Sequence, residues 1–75
     1  MTGYQLWGFH PAYVGRDGFP YVLKLAGGSA RDCDRERAWR VSDGGWTLGT
    51  YAAGVAPVGL RLQCELAYPR ERVSA

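Results

Sequence analysis

The stretch Val58-Gly-Leu-Arg-Leu-Gln-Cys-Glu-Leu-Ala-Tyr68 decides the fold that this sequence predicts. Its apolar residues recur at every second position, and Arg61, Gln63 and Glu65 lie between them. Successive side chains of a β-strand point to opposite faces, whereas a helix distributes such a row around its circumference. We therefore predict a long amphipathic strand, with one face on a core and the other toward solvent, in an antiparallel sheet.

Two Asp-Gly turns predict β-hairpins earlier in the chain. Glycine adopts the positive φ that a tight hairpin turn requires, so Asp-Gly between apolar runs is a strong hairpin signal. The turn at 16–19 would join strands at 12–14 and 20–25, and the turn at 43–45 would join strands at 38–41 and 46–48. A further strand is predicted over residues 4–9, ending at His10-Pro11 because proline cannot donate a hydrogen bond to a sheet.

A short helix is predicted between the two hairpins. Ser29 and Asp32 have the spacing of a capping box, and the residues that follow are mostly fair helix formers. The apolar stripe is thin, so a charged loop is the alternative to a helix over 30–38. The predicted fold is thus a single small β-rich α+β domain spanning residues 1–75, with an antiparallel sheet of about four to six strands, two hairpins, one helix and a frayed tail at 69–75. A small all-β barrel is the alternative.

Composition gives few indications of partner or compartment. The chain has 75 residues, a formal net charge of +2, three Trp and five Tyr, which suits one domain with a small core. We expect a cytoplasmic protein that neither enters nor spans a membrane, because the sequence shows no signal peptide and no apolar run of the length that crosses a bilayer. Cys33 and Cys64 should then be reduced thiols, with Cys64 packed in the core.

The chain contains no recognisable catalytic or metal-binding set. His10, Cys33 and Cys64 are one ligand short of a structural zinc site and lack ligand spacing. A calcium loop starting at Asp32 fails because Arg37 occupies the sixth position, where the turn requires glycine. The Gly27-Gly-Ser29 stretch could hold an anion on its backbone N–H groups, but it matches no phosphate-binding motif. We expect no enzyme activity, no metal and no cofactor.

The surplus of aromatic and arginine residues predicts a protein-binding module. Trp, Tyr and Arg dominate the residues that carry binding energy at interfaces. Our candidate partner-binding residues are Trp39, Trp46, Arg37 and Arg40, around the second turn. The two tryptophans could instead be core residues.

Such a protein would regulate or inhibit a larger partner by occupying its surface, and an inhibitor encoded by a phage or a bacterial mobile element is one concrete version of this prediction. We also expect a homodimer formed through its sheet edges. The alternative is a small nucleic-acid-binding protein that stacks bases on aromatic side chains beside basic groups. The side chains proposed for that role are Tyr21, Trp39, Trp46, Tyr51, Arg16, Lys24, Arg40 and Arg61.

Overall fold

The computed structural model describes residues 3–69 and shows a small α+β fold. In chain order its elements are β1 (Tyr4–Phe9), β2 (Leu23–Gly28), α1 (Ala30–Asp43), β3 (Thr47–Ala52) and α2 (Val58–Ala67). The α+β class and the antiparallel sheet are confirmed, whereas the described residues form three strands instead of four to six. The strand predicted over residues 4–9 is confirmed. Apart from Pro69, the tail predicted at 69–75 lies outside the described residues.

The sheet is open, with strand order β2-β1-β3. β1 is antiparallel to both neighbours, so β2 and β3 run parallel to each other and α1 forms the crossover between them. The pairing of β1 with β3 is regular from end to end. The pairing with β2 shifts register between Leu6 and Trp7. Such a bulge increases the local twist of the sheet.

The two helices cover opposite faces of the sheet. Arg37 of α1 donates to Thr50, which lies opposite Leu6, so Leu6 faces α1. Three residues along β1, Phe9 clusters with the buried residues of α2. Since strand side chains alternate, the core is divided into two thin halves by β1. The hydrophobic core consists of Leu6, Phe9, Cys33, Leu60 and Cys64, and Pro20 and Pro57 are buried as well.

The helix predicted over 30–38 is confirmed but extends to Asp43. Ser29 Oγ accepts a hydrogen bond from the Asp32 N–H at 3.1 Å, and the Asp32 carboxylate accepts one from the Ser29 N–H at 3.4 Å, which completes the capping box. The helix ends at Gly44, whose N–H donates to the Arg40 carbonyl at 3.0 Å. The predicted strand at 38–41 and its hairpin are therefore wrong, because the Gly-Gly pair terminates a helix.

The predicted last strand is also wrong, because Val58–Ala67 is helix α2. Pro57 precedes the helix with φ −80°, close to the angle that proline imposes and that a first helical turn accepts. The residues that follow are mostly good helix formers. A period-two apolar row contains two interleaved sets with i,i+4 spacing. The set with Leu60 and Cys64 is buried, whereas Leu62 of the other set is 56% exposed.

The turn at 16–19 forms, but the hairpin predicted around it does not. Its flanks make a single bridge between Val14 and Pro20, and Gly18 has the positive φ expected of an Asp-Gly turn. The strand predicted at 20–25 begins later, as β2, and pairs with β1. Within residues 3–69, neither helix is long and apolar enough to cross a membrane.

Candidate binding surface

Aromatic rings from distant parts of the chain meet beside the turn between α1 and β3. Tyr13 stacks on Trp46 with ring centroids 5.2 Å apart and planes inclined by 26°. His10 contacts both, at 5.4 Å from Tyr13 and 5.1 Å from Trp46. We call these three residues, together with Trp39 and Arg40, the ring cluster.

Arg40 joins the two tryptophans of the ring cluster. Its guanidinium carbon lies 4.7 Å from the centroid of Trp39 and 4.6 Å from that of Trp46, within the range of a cation–π contact. One turn earlier in α1, the Glu36 carboxylate accepts a hydrogen bond from Arg40 Nε at 2.8 Å. The arginine is thereby fixed on three sides, and its charge is compensated by Glu36.

His10 attaches the segment after β1 to this turn. Its Nδ1 accepts a hydrogen bond from the Ala12 N–H at 3.0 Å, so the imidazole proton is on Nε2, which donates to the Gly44 carbonyl at 3.0 Å. Gly45 has φ +82°, and a Cβ atom there would lie 2.6 Å from His10 Nε2. Glycine is therefore required at this position both by the backbone conformation and by the close approach of the ring.

The ring cluster is accessible to a partner although its members are mutually fixed. Trp39 is 57% exposed and Tyr13 is 48% exposed. Trp46 is half-buried, and its indole N–H donates to the Asp43 carboxylate at 3.1 Å. The surface thus combines wide aromatic faces with the compensated Arg40–Glu36 pair.

The structure brings together three of the four candidate partner-binding residues. Trp39, Trp46 and Arg40 share the ring cluster. Arg37 lies apart, because its guanidinium donates to the Thr50 hydroxyl on the sheet. His10 and Tyr13 were missed by the sequence reasoning. The surplus of unassigned aromatic residues was the only signal that could have indicated Tyr13.

The residues proposed for nucleic-acid binding are divided between two parts of the molecule. Trp39, Trp46 and Arg40 belong to the ring cluster. Tyr51 packs against the α2 side of the core, where its hydroxyl accepts a hydrogen bond from the Leu60 N–H at 3.0 Å. Arg61 lies on α2 itself. No single face therefore carries the whole set.

The other sequence candidates for chemistry are occupied or dispersed. The Asp32 carboxylate already accepts a hydrogen bond from the Ser29 N–H at the start of α1, which is the position where an added anion would bind. Cys33 and Cys64 are buried on different helices and form no disulfide, and Cys64 Sγ donates a hydrogen bond to the Pro20 carbonyl at 3.3 Å. Among residues 3–69, no group of three or more His, Cys, Asp or Glu side chains is placed to hold a metal ion.

Comparison with known proteins adds no functional information. The chain matches no family model, and no curated protein and no solved structure is significantly similar to it.

Proposed function

We propose that the protein acts by binding another protein through the ring cluster, as a regulator or inhibitor that occupies its partner's surface. The observation that supports this is the stack in which Arg40 lies against Trp39 and Trp46 while Trp39 stays more than half exposed. Trp, Tyr and Arg are the residue types most enriched among binding hot spots. A cytoplasmic location belongs to the same proposal, since Cys33 and Cys64 do not form a disulfide.

The fixed geometry of the ring cluster favours binding. Immobilising a long side chain at an interface costs about 0.5–1.5 kcal/mol. Arg40 is held before any partner arrives, by Glu36 at 2.8 Å and by the two indole rings. The conformational freedom of the Arg40 side chain is therefore already lost in the free protein, and its loss does not oppose binding. Contact of the partner with Trp39 and Tyr13 then buries additional apolar surface.

The charges at the ring cluster favour a protein over a nucleic acid. Phosphate binding depends on cations that are free to replace condensed counterions. Arg40 is paired with Glu36, and the Asp43 carboxylate lies at the edge of the same surface. A flat, largely apolar protein surface complements this arrangement better than a phosphate backbone. The exposed rings could still stack on bases, so nucleic acid is the alternative that the experiment must exclude.

Trp39→Ala is the variant that tests the proposal. The partner is first identified by cross-linking and affinity capture with the wild-type protein, and its affinity is then measured by calorimetry. We expect Trp39→Ala to weaken binding by about 2–4 kcal/mol, as for a hot-spot residue. Its melting temperature should change little, since the side chain is 57% exposed.

Val41→Ala is the matched control. Val41 lies on the same helix, is 65% exposed and is not part of the ring cluster. Its truncation should leave the affinity unchanged. Equal affinities of wild type and Trp39→Ala would contradict the proposal. Tight binding of bare oligonucleotides that falls steeply with salt and is lost in Arg40→Ala would favour the nucleic-acid alternative.

A further inference from the structure

Helix α2 carries a second exposed apolar surface, separate from the ring cluster. Val58, Leu62 and Leu66 follow i,i+4 spacing and are 60%, 56% and 80% exposed. We call these three residues the outer stripe. On the other side of the helix Leu60 and Cys64 are buried against the sheet. α2 is therefore apolar on two opposite sides, and the fold covers one of them.

We propose that the outer stripe binds the outer stripe of a second copy of this chain, with the two α2 helices antiparallel about a two-fold axis at Leu62. In that arrangement Leu62 meets its own counterpart, and Val58 meets Leu66 of the second copy at both ends. The stripe is centred on Leu62, so it is complementary to itself under this rotation.

The charged residues beside the outer stripe select the antiparallel arrangement. At 100° per residue, Glu65 lies about 60° and Arg61 about 100° from Leu62, both on the same side of the helix. An antiparallel two-fold places this side against itself. With a rise of 1.5 Å per residue, Glu65 then lies about 3 Å along the axis from Arg61 of the second copy. The two Arg61 residues are separated by the same axial distance, so the four charges form a neutral row in the order Glu, Arg, Arg, Glu. In this row each arginine is paired with the carboxylate of the second copy. Arg61 and Glu65 are both exposed in the single chain. In a parallel pair, the side of the helix that carries Arg61 and Glu65 would instead face the side that carries Gln63 of the second copy.

A second copy would provide apolar contacts that the thin, divided core of a single chain lacks. Besides Gly8, Pro20 and Pro57, only five apolar residues are buried among residues 3–69, whereas ten large apolar side chains are exposed. Small domains commonly supplement a thin core by oligomerisation. Helix α2 is 10 residues long, or about 15 Å, so a contact limited to it is smaller than a standard protein interface. We therefore expect a reversible dimer whose population rises with concentration.

Sedimentation velocity over a concentration series from micromolar to millimolar tests the proposal. Leu62→Glu places two like charges at the two-fold axis and should give a monomer throughout. Gln63→Glu adds the same charge to an exposed residue outside the outer stripe and should leave the dimer intact. Leu66→Glu serves as a second disrupting variant, and circular dichroism at low concentration establishes that each variant is folded.

Charge reversal tests the antiparallel geometry separately. Arg61→Glu and Glu65→Arg should each weaken the dimer several-fold, and the double variant should restore wild-type association. A wild-type protein that stays monomeric at millimolar concentration overturns the proposal and leaves the outer stripe to a different partner. A dimer that persists in Leu62→Glu assigns the contact to another surface, such as a sheet edge. Failure of the double variant to recover refutes the antiparallel pairing.

Discussion

The turn between α1 and β3 holds the ring cluster in place, and Gly45→Ala should loosen it. Gly45 has φ +82°, a conformation that costs an L-residue about 1–2 kcal/mol. An alanine Cβ atom would also lie 2.6 Å from His10 Nε2 and 3.0 Å from its Cδ2. The imidazole must move, and its hydrogen bond to the Gly44 carbonyl is worth about 0.5–1.5 kcal/mol. We expect a total destabilisation of about 2–3 kcal/mol.

Gly54→Ala separates the two contributions. Gly54 has nearly the same φ, +84°, and a Cβ atom there would meet nothing within 4 Å. This control bears only the backbone cost, so Gly45→Ala should lose about 1 kcal/mol more, or about 4–8 °C in Tm for a domain of this size. The free energies of unfolding come from urea titrations followed by tryptophan fluorescence.

A double variant isolates the contact with His10. If the clash is the cause, His10→Ala combined with Gly45→Ala should lose less stability than the sum of the two single losses, since the ring that clashes is gone. Equal losses for Gly45→Ala and Gly54→Ala, with additive behaviour of the double variant, would refute the role assigned to His10.

The two apolar sides of α2 and the two thiols give further expectations. Leu60 is 2% exposed, so Leu60→Ala should cost about 2–5 kcal/mol in urea titrations at low concentration, whereas Leu62→Ala should cost about 0.5 kcal/mol or less; equal losses would contradict the orientation of α2. Cys33 and Cys64, at 0% and 5% exposure, should react slowly with a thiol reagent in native protein and give two thiols per chain in denaturant. Fast labelling of either thiol without denaturant would show that its half of the core opens readily.

The fold could be predicted from the sequence where a local motif is compatible with only one structure. The capping box at Ser29 and Asp32 starts a helix, and that prediction is confirmed. The Asp-Gly turn at 16–19 forms as well. Gly44 and Gly45 had two possible outcomes, because glycines with positive φ close hairpins and also end helices. The helix capped by Ser29 continues through Trp39 to Asp43, so the two glycines end this helix and do not close a hairpin.

The alternating pattern at 58–68 failed because alternation alone does not define a strand. In a helix the same residues fall into two sets with i,i+4 spacing, one with Leu60 and Cys64 and one with Leu62 and Leu66. The strand interpretation assumed that a single face is buried. Here one set lies in the core and the other is exposed. The apolar residues at every second position therefore belong to a helix with two apolar sides.

The candidate site was predicted only in part, because one of its four proposed residues, Arg37, faces the sheet. Trp39, Arg40 and Trp46 are close in sequence, and they remain close because α1 ends between them and the chain reverses direction. Arg37 follows the buried Cys33 by four residues and so shares its face toward the sheet. Both residues lie within the helix predicted over 30–38, so their spacing already indicates that Arg37 faces the sheet.

His10 and Tyr13 show what a local pattern could not supply. They reach the ring cluster through the register of β1, which places Phe9 opposite Thr47. The residue after β1 and the residue before β3 therefore lie side by side at the same end of the sheet. His10 then meets Trp46, the residue just before β3. That proximity depends on β1 pairing with a strand that follows an entire helix. A non-local strand pairing, rather than any motif around the histidine, therefore completes the surface that we propose for binding.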